Sequence, residues 1–310
     1  MDEISYSDIS NILNWDKSPK INLVFGNFSE EANEALVEQI IKLPSYKRTI
    51  LGVDIFHYSK MENYQQRILP FLIYELLSAT QSILTGARYL FSKQTALDII
   101  TSRIDTGDGF FLVFETPIHA LLFTVVFEAI MRLFNSFSLH PETRAITGNI
   151  TYRLALSTDE VYKTNFGTSE SNFYGKGIIT CARILSKDKL NRFLIDENTY
   201  LWFLENIKGI ENMPLLTLSD ISKLPQFKDY DNQLIDINNS LINDEDNFLR
   251  KDGIKSVDIL KLFETDQKKD ILNMYCIHVQ ATIKISSKSR NLEQYVNISL
   301  GNLNTEGVTF

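Results

Sequence analysis

The chain has 310 residues, 44% of them hydrophobic and 23% charged, the composition of an ordinary globular protein with length enough to bury a core without disulfides or a structural metal. Thirty-one basic against 39 acidic residues leave a net charge of -8 and a pI near 5.2. Such a surface repels polyphosphate and anionic lipid, so nucleic-acid and membrane-surface partners are disfavoured, and a small anionic substrate needs a local cation to offset the repulsion. Cys181 and Cys276 are too few for a disulfide framework or a four-thiolate zinc site and read as buried hydrophobes in a reducing compartment. The start, Met1-Asp2-Glu3-Ile4-Ser5, lacks the basic and apolar regions of a secretory signal. The most apolar stretch, 118–134, is interrupted by Glu128 and Arg132, so the expectation is a cytoplasmic chain with no membrane span.

In chain order, 30–43 carries an approximate helical stripe (Ala32, Leu36, Ile40, Ile41, Leu43) stopped by Pro44. The β-branched run 48–55 predicts a strand that ends on an acid, and 62–80 predicts a long helix kinked or broken at Pro70. A second helix is expected at 93–101. Gly107-Asp108-Gly109 has the chemistry of a hairpin tip before a strand at 110–114. Pro117 fits the first turn of an apolar helix reaching about Phe137. The run 150–157 alternates with period two, 178–185 has helical character after a glycine-bearing loop, 193–196 reads as a strand, and 197–206 as a helix. The polar stretch 238–253 marks a boundary, followed by an expected helix at 256–263 and strands at 274–285 and 295–300. This order predicts an α+β sandwich, mainly antiparallel, with a central hairpin, flanking helices and a short C-terminal α/β extension. The expected units are an N-terminal extension (1–45), a catalytic domain (46–240) and a C-terminal accessory segment (241–310).

Three features carry chemistry. Asp54 ends an apolar strand, Asp108 sits on a Gly-Asp-Gly tip, and Arg183 follows a glycine-opened helix start. Two carboxylates on neighbouring strands suit one or two hard divalent cations. The flanking glycines admit close backbone approach, and the metal supplies the cation this acidic chain otherwise lacks. An arginine across such a site can stabilise charge developing on phosphorus.

The run Leu51-Gly52-Val53-Asp54-Ile55-Phe56-His57-Tyr58-Ser59 resembles the first metal motif of class III nucleotide cyclases, and Thr106-Gly107-Asp108-Gly109-Phe110 resembles their second. Phe173-Tyr174-Gly175-Lys176-Gly177-Ile178-Ile179-Thr180-Cys181-Ala182-Arg183-Ile184 resembles their Tyr-x-Gly-x-x-Val-Asn-x-Ala-x-Arg-Leu segment. The motifs fall in the family's order across about 46–240. The resemblance implies that Asp54, Asp108 and the backbone carbonyl of Ile55 hold two Mg2+ or Mn2+ ions, and that Arg183 is the transition-state arginine. It implies in-line attack of the ribose 3'-oxygen on the α-phosphorus with release of pyrophosphate, and a homodimer whose composite sites take metal ligands and arginine from opposite chains.

The departures bear on the base. The family's asparagine is Ile179 here, the purine-reading Lys or Glu position is Ile104, and its partner position is Asn172. An apolar residue offers a purine edge no hydrogen bond, and Tyr58 is large enough to narrow the pocket or stack on a base. This combination is similar to the pyrimidine cyclases of bacterial anti-phage signalling, which implies UTP or CTP as substrate and a downstream effector that binds the cyclic product. The alternatives are a purine cyclase with atypical base recognition and a non-catalytic nucleotide sensor. His57, His119 and His278 read as structural, and Lys223 and Lys228 read as solvated before a last strand at 233–237.

Overall fold

The computed structural model describes residues 2–13, 30–86, 102–165, 171–187, 192–211, 253–265, 271–287 and 292–301. The expected helix at 93–101, the strand at 233–237, Lys223 and Lys228 lie outside them, as does all but the last residue of the polar stretch 238–253.

Strand β1 (Glu3–Ser5) and helices α1 (Tyr6–Leu13) and α2 (Glu30–Ile41) precede β2 (Tyr46–Ile55). After a short turn comes α3 (Asn63–Gly86), then the hairpin of β3 (Ile104–Asp105) and β4 (Gly109–Phe114). The long apolar helix is α4 (Pro117–Asn135), followed by α5 (Pro141–Thr147) and β5 (Tyr152–Asn165). β6 (Ser171–Tyr174), α6 (Lys176–Lys187), β7 (Phe193–Asp196) and α7 (Glu197–Glu211) complete the middle of the chain. Three long strands close it: β8 (Gly253–Thr265), β9 (Ile271–Ser287) and β10 (Leu292–Leu300).

The result is a mixed α+β fold on one sheet of order β10-β9-β7-β5-β2-β4-β3, with β1 and β6 on β5 and β8 on β9. Pairing is antiparallel except for β1 with β5 and β5 with β7. The hairpin closes one end of this order, and β5 and β2 hold the middle. Alternation along β2 sorts its side chains to two cores. Leu51, Val53 and Ile55 join Phe110, Leu112 and Phe114 against α3 and α4, where Phe123 and Phe127 are fully buried. Ile50 joins Phe111, Val113 and Ala155 against Cys181, Ile184 and Leu185 of α6. Asp54 continues the second set, two residues beyond Gly52. Among the described residues α4 is the helix long and apolar enough to cross a membrane, and 72% of its apolar window is buried.

The C-terminal strands depart from the expectation. Residues 256–263 form strand in β8, not a helix, and β9 bonds to β7 through Phe193↔Ile277 to Asp196↔Met274. The C-terminal addition is therefore strand in its described residues up to Leu300 and continues the main sheet. The cause is that the apolar residues of β8 divide between its two faces: Val257 and Ile259 pack with the larger core, Leu260 and Leu262 with the smaller, and such a strand loses its period-two signal.

Pro70 lies inside α3. Without an N–H it leaves the Gln66 carbonyl unbonded within the helix, and the Tyr58 hydroxyl donates to that carbonyl at 3.3 Å. Gln66 returns the contact, its Nε2 donating to the Tyr58 and Met61 carbonyls, both at 3.1 Å. The turn after β2 is thereby fastened to α3.

Gly109 faces Asp54 across the β2–β4 ladder. A β-carbon there would lie 2.1 Å from the Val53 carbonyl oxygen and 3.0 Å from the Asp54 Cα, whereas Gly107 (φ +92°) has nothing within 4 Å of its position. Gly109→Ala is expected to lower stability in urea unfolding by about 1–3 kcal/mol through forced strand separation. Gly107→Ala should cost only about 1 kcal/mol of left-handed backbone strain. The reverse order would contradict this packing.

Candidate active site

β2 places Asp54 directly opposite Gly109 on one neighbour and Arg153 of β5 on the other. The Ile55 N–H donates to the Asp108 carbonyl at 2.9 Å, and the Thr106 N–H to the Gly109 carbonyl at 3.0 Å. These bonds fold the hairpin tip back so that Asp108, itself exposed, stands beside the end of β2. Arg153 Nε donates to Asp54 Oδ2 at 2.7 Å, and Nη2 donates to the same oxygen. The pair is largely enclosed, with side chains 24% and 14% exposed for Arg153 and Asp54.

Burial is the main influence on the Asp54 carboxyl and pushes its pKa above the usual value. The hydrogen bonds and charge of Arg153 pull it down, and the charge of Asp108 pushes it up again. The two aspartates thus repel one another across a partly desolvated site. A hard divalent cation relieves that strain, and two carboxylates with a backbone carbonyl are suitable oxygen donors. The Ile55 side chain is buried in the larger core, so its contribution to such a site is confined to its backbone. Among the described residues no group of three or more His, Cys, Asp or Glu side chains could hold a metal. Asp54 and Asp108 therefore suit a cation that takes its remaining oxygens from substrate and water, as Mg2+ does in phosphate-handling sites.

Arg153 is the residue that sequence reasoning missed. Its signal was an arginine in the alternating run 150–157, on the face it shares with the buried Ala155 and Ser157. Its partner, 99 positions away, is set by strand register, which one sequence does not display.

Arg183 lies on α6, half-buried. Cys181, two residues earlier, is fully buried with its Sγ against the Ile50 and Ala155 carbonyls. Two residues turn a helix by about 200°, so Arg183 occupies the flank away from that contact. Ile179, at the family's asparagine position, is 61% exposed.

The three residues expected to form a base pocket do not converge within one chain. The Tyr58 ring packs against the larger core and its hydroxyl is engaged by Gln66. Ile104 packs against the smaller core, opposite Phe111 and hence level with Gly52 and Ala155. Asn172 is exposed and pairs with Thr164, nine residues farther along β5 than Ala155, a separation of ~30 Å at strand rise. Of the histidines, His57 adopts a left-handed turn (φ 61°) and stacks on Phe56 with ring centroids 3.8 Å apart. His119 Nδ1 meets Thr116 Oγ1 at 2.9 Å, and His278 Nε2 meets Ser299 Oγ at 2.8 Å.

No protein-family model matches the chain, and no curated protein does. Among solved structures, the guanylate cyclase domain of RhGC from Catenaria anguillulae in complex with GTP is similar at 13% identity and TM-score 0.45, over 76% of this chain and 98% of that one. The adenylyl cyclase CyaB from P. aeruginosa is similar at 12% identity and TM-score 0.40, over 81% of this chain and 100% of that one. Both neighbours are nucleotide cyclases. At these values the likeness transfers no chemistry, which has to come from the side chains.

Cation binding between Asp54 and Asp108 would have a measurable signature. A raised folded-state carboxyl pKa means the native state binds more protons, so this group's contribution lowers stability as pH rises above the ordinary aspartate range and through the raised value. Mn2+ should restore it: saturation at one hundred times Kd adds about 2.7 kcal/mol. The expected result is a rise in Tm with Mn2+ at neutral pH that shrinks as acid protonates Asp54 and is absent in Asp108→Asn.

Proposed function

We propose that the protein is a metal-dependent nucleotide cyclase that converts a pyrimidine nucleoside triphosphate, UTP or CTP, to a 3',5'-cyclic nucleotide and pyrophosphate. The observation that carries this reading is the convergence of Asp54 and Asp108 at the clamped end of β2 and β4, with Arg153 fixed beside them. Divalent cations held by Asp54, Asp108 and the Ile55 carbonyl, two Mg2+ or Mn2+ ions per site, would neutralise charge on the attacking and leaving oxygens.

The chain's own residues prepare that site. Arg153 favours the ionised form of Asp54 in a place where burial opposes it, and aims its carboxylate through two bonds to one oxygen. It also adds a fixed positive charge where a triphosphate must approach an acidic protein. The 24-residue helix α3 starts eight residues beyond Ile55, so its N-terminal dipole adds positive potential near the same end of the sheet. The left-handed His57 makes the turn that leads from one to the other.

Arg183 completes the reading in a dimer. Its position on the flank of α6 away from the Cys181 contact supports presentation to a second copy, where it would stabilise charge on the transferring phosphorus. A homodimer related by a two-fold axis then contains two composite sites. Ile104 supports a pyrimidine over a purine because it sits in an apolar cluster and offers a purine edge no partner. The cyclic product would act as a messenger for a separate binding protein, in the manner of the anti-phage systems.

Chromatography of products from the four nucleoside triphosphates with Mn2+ tests the proposal. Cyclic UMP or cyclic CMP is expected, with Asp54→Asn and Asp108→Asn each reducing turnover by ~10²-fold or more. Turnover of ATP or GTP alone would overturn the base assignment, and no cyclic product from any triphosphate would overturn the cyclase. An equal mixture of inactive Asp54→Asn and Arg183→Ala chains should recover roughly a quarter of wild-type activity, since half the dimers are mixed and each keeps one intact site.

A further inference from the structure

The inner stripe of α3 is what an amphipathic helix requires: Leu69, Leu72, Ile73, Leu76 and Leu77 are buried in the larger core. By the same rule its outer side should be charged and polar. Instead Tyr64, Phe71 and Tyr74 stand 55%, 77% and 51% exposed. Their spacing of seven and three residues puts all three on one side of the helix. Ile146 of α5, 46% exposed, adjoins them, since Gln65 Nε2 donates to the Ile146 carbonyl at 3.3 Å. Large apolar side chains gathered outside the core mark an interaction surface.

The charges on this face indicate what covers it. Arg67 and Glu75 are both exposed, and neither makes an ion pair with a described residue. They lie four residues before and four after Phe71, on the same side of the helix. A two-fold axis beside Phe71, perpendicular to α3, sets the helix of a second copy antiparallel to the first. Arg67 of each copy then stands level with Glu75 of the other, and Phe71 meets its own image. That is the self-complementarity an isologous contact needs. A parallel pairing would oppose like charges at both positions.

We propose that the outer face of α3 is a docking surface for a second copy of this chain, paired antiparallel about Phe71. The claim does not rest on nucleotide cyclisation. α3 packs on the larger core and α6 on the smaller, across the sheet, so this surface differs from the one that would present Arg183. A single helix pair covers less than the ~800 Å² per partner of a standard interface, so the association is expected to be weak and concentration-dependent.

Oxidative cross-linking and sedimentation of the full-length protein test it. Cys181 and Cys276 are buried, so the unaltered chain is the control for cysteines placed on the surface. Phe71→Cys should form a covalent dimer. Tagged Arg67→Cys mixed with Glu75→Cys should give the mixed dimer. Neither should cross-link alone, because like positions lie about 12 Å apart along the axis, beyond disulfide reach. Arg67→Glu opposes like charges and should raise the self-association Kd ~tenfold or more, and adding Glu75→Arg should restore it. Absence of the cross-link at position 71, as when a segment of the same chain or a different protein covers the face, would overturn the proposal. So would cross-linking of Arg67→Cys alone, wild-type association in Arg67→Glu, or no recovery in the double variant. If Arg67→Glu does not fold, Glu75→Arg alone makes the equivalent clash and decides.

Discussion

Two carboxylates forced together at the end of one strand pair set the terms for everything around them. Asp54 is held because β2 is bonded on both sides, and the backbone of Asp108 is held beside it because its carbonyl accepts from the Ile55 N–H. A side chain cannot be inserted between the two strands, since Gly109 lies against the Val53 carbonyl. The repulsion is answered from a third strand by Arg153. Removing that arginine would leave a desolvated charge without its partner, a costly arrangement. Under the proposed function, a site built this way would hold cations and, through them, phosphates that the surface charge repels.

The sheet supplies the rigidity that this arrangement needs. β5 carries the arginine, and its two faces are tied to different parts of the molecule. Arg153 reaches Asp54, while the adjacent Tyr152 reaches Glu128, which Arg132 joins to the carbonyls of β10. The C-terminal strands therefore brace the strand that aims the arginine, and α4, despite its apolar length, is a core helix clamped between them. Buried polar networks of this kind hold a geometry as much as they add stability.

Much of this was legible in the sequence where a side chain announces its own environment. The β-branched run at 48–55, the apolar run at 110–114 and the alternation at 150–157 marked strands, Pro117 marked the start of α4, and Gly107-Asp108-Gly109 marked a tip. What failed to read was what depends on partners. The strand β8 looked helical because its apolar residues divide between its two faces, and Arg153 was invisible because its role comes from register with β2. Tyr58 looked like a pocket residue, but Pro70, on the next helix, leaves a carbonyl that its hydroxyl answers. Ile104 on β3 and Asn172 on β6, linked by motif spacing, lie level with residues nine apart on β5, Ala155 and Thr164, because strand register and not motif spacing sets their places.

The proposed function depends on Asp54 and Asp108 holding cations together. Diffraction from crystals soaked in Mn2+, with data collected at the manganese absorption edge, tests this directly. Anomalous density for Mn2+ is expected at the two carboxylates and the Ile55 carbonyl, with its loss in Asp108→Asn. Manganese bound elsewhere, with the Asp54–Arg153 pair intact and no peak between the aspartates, would contradict it.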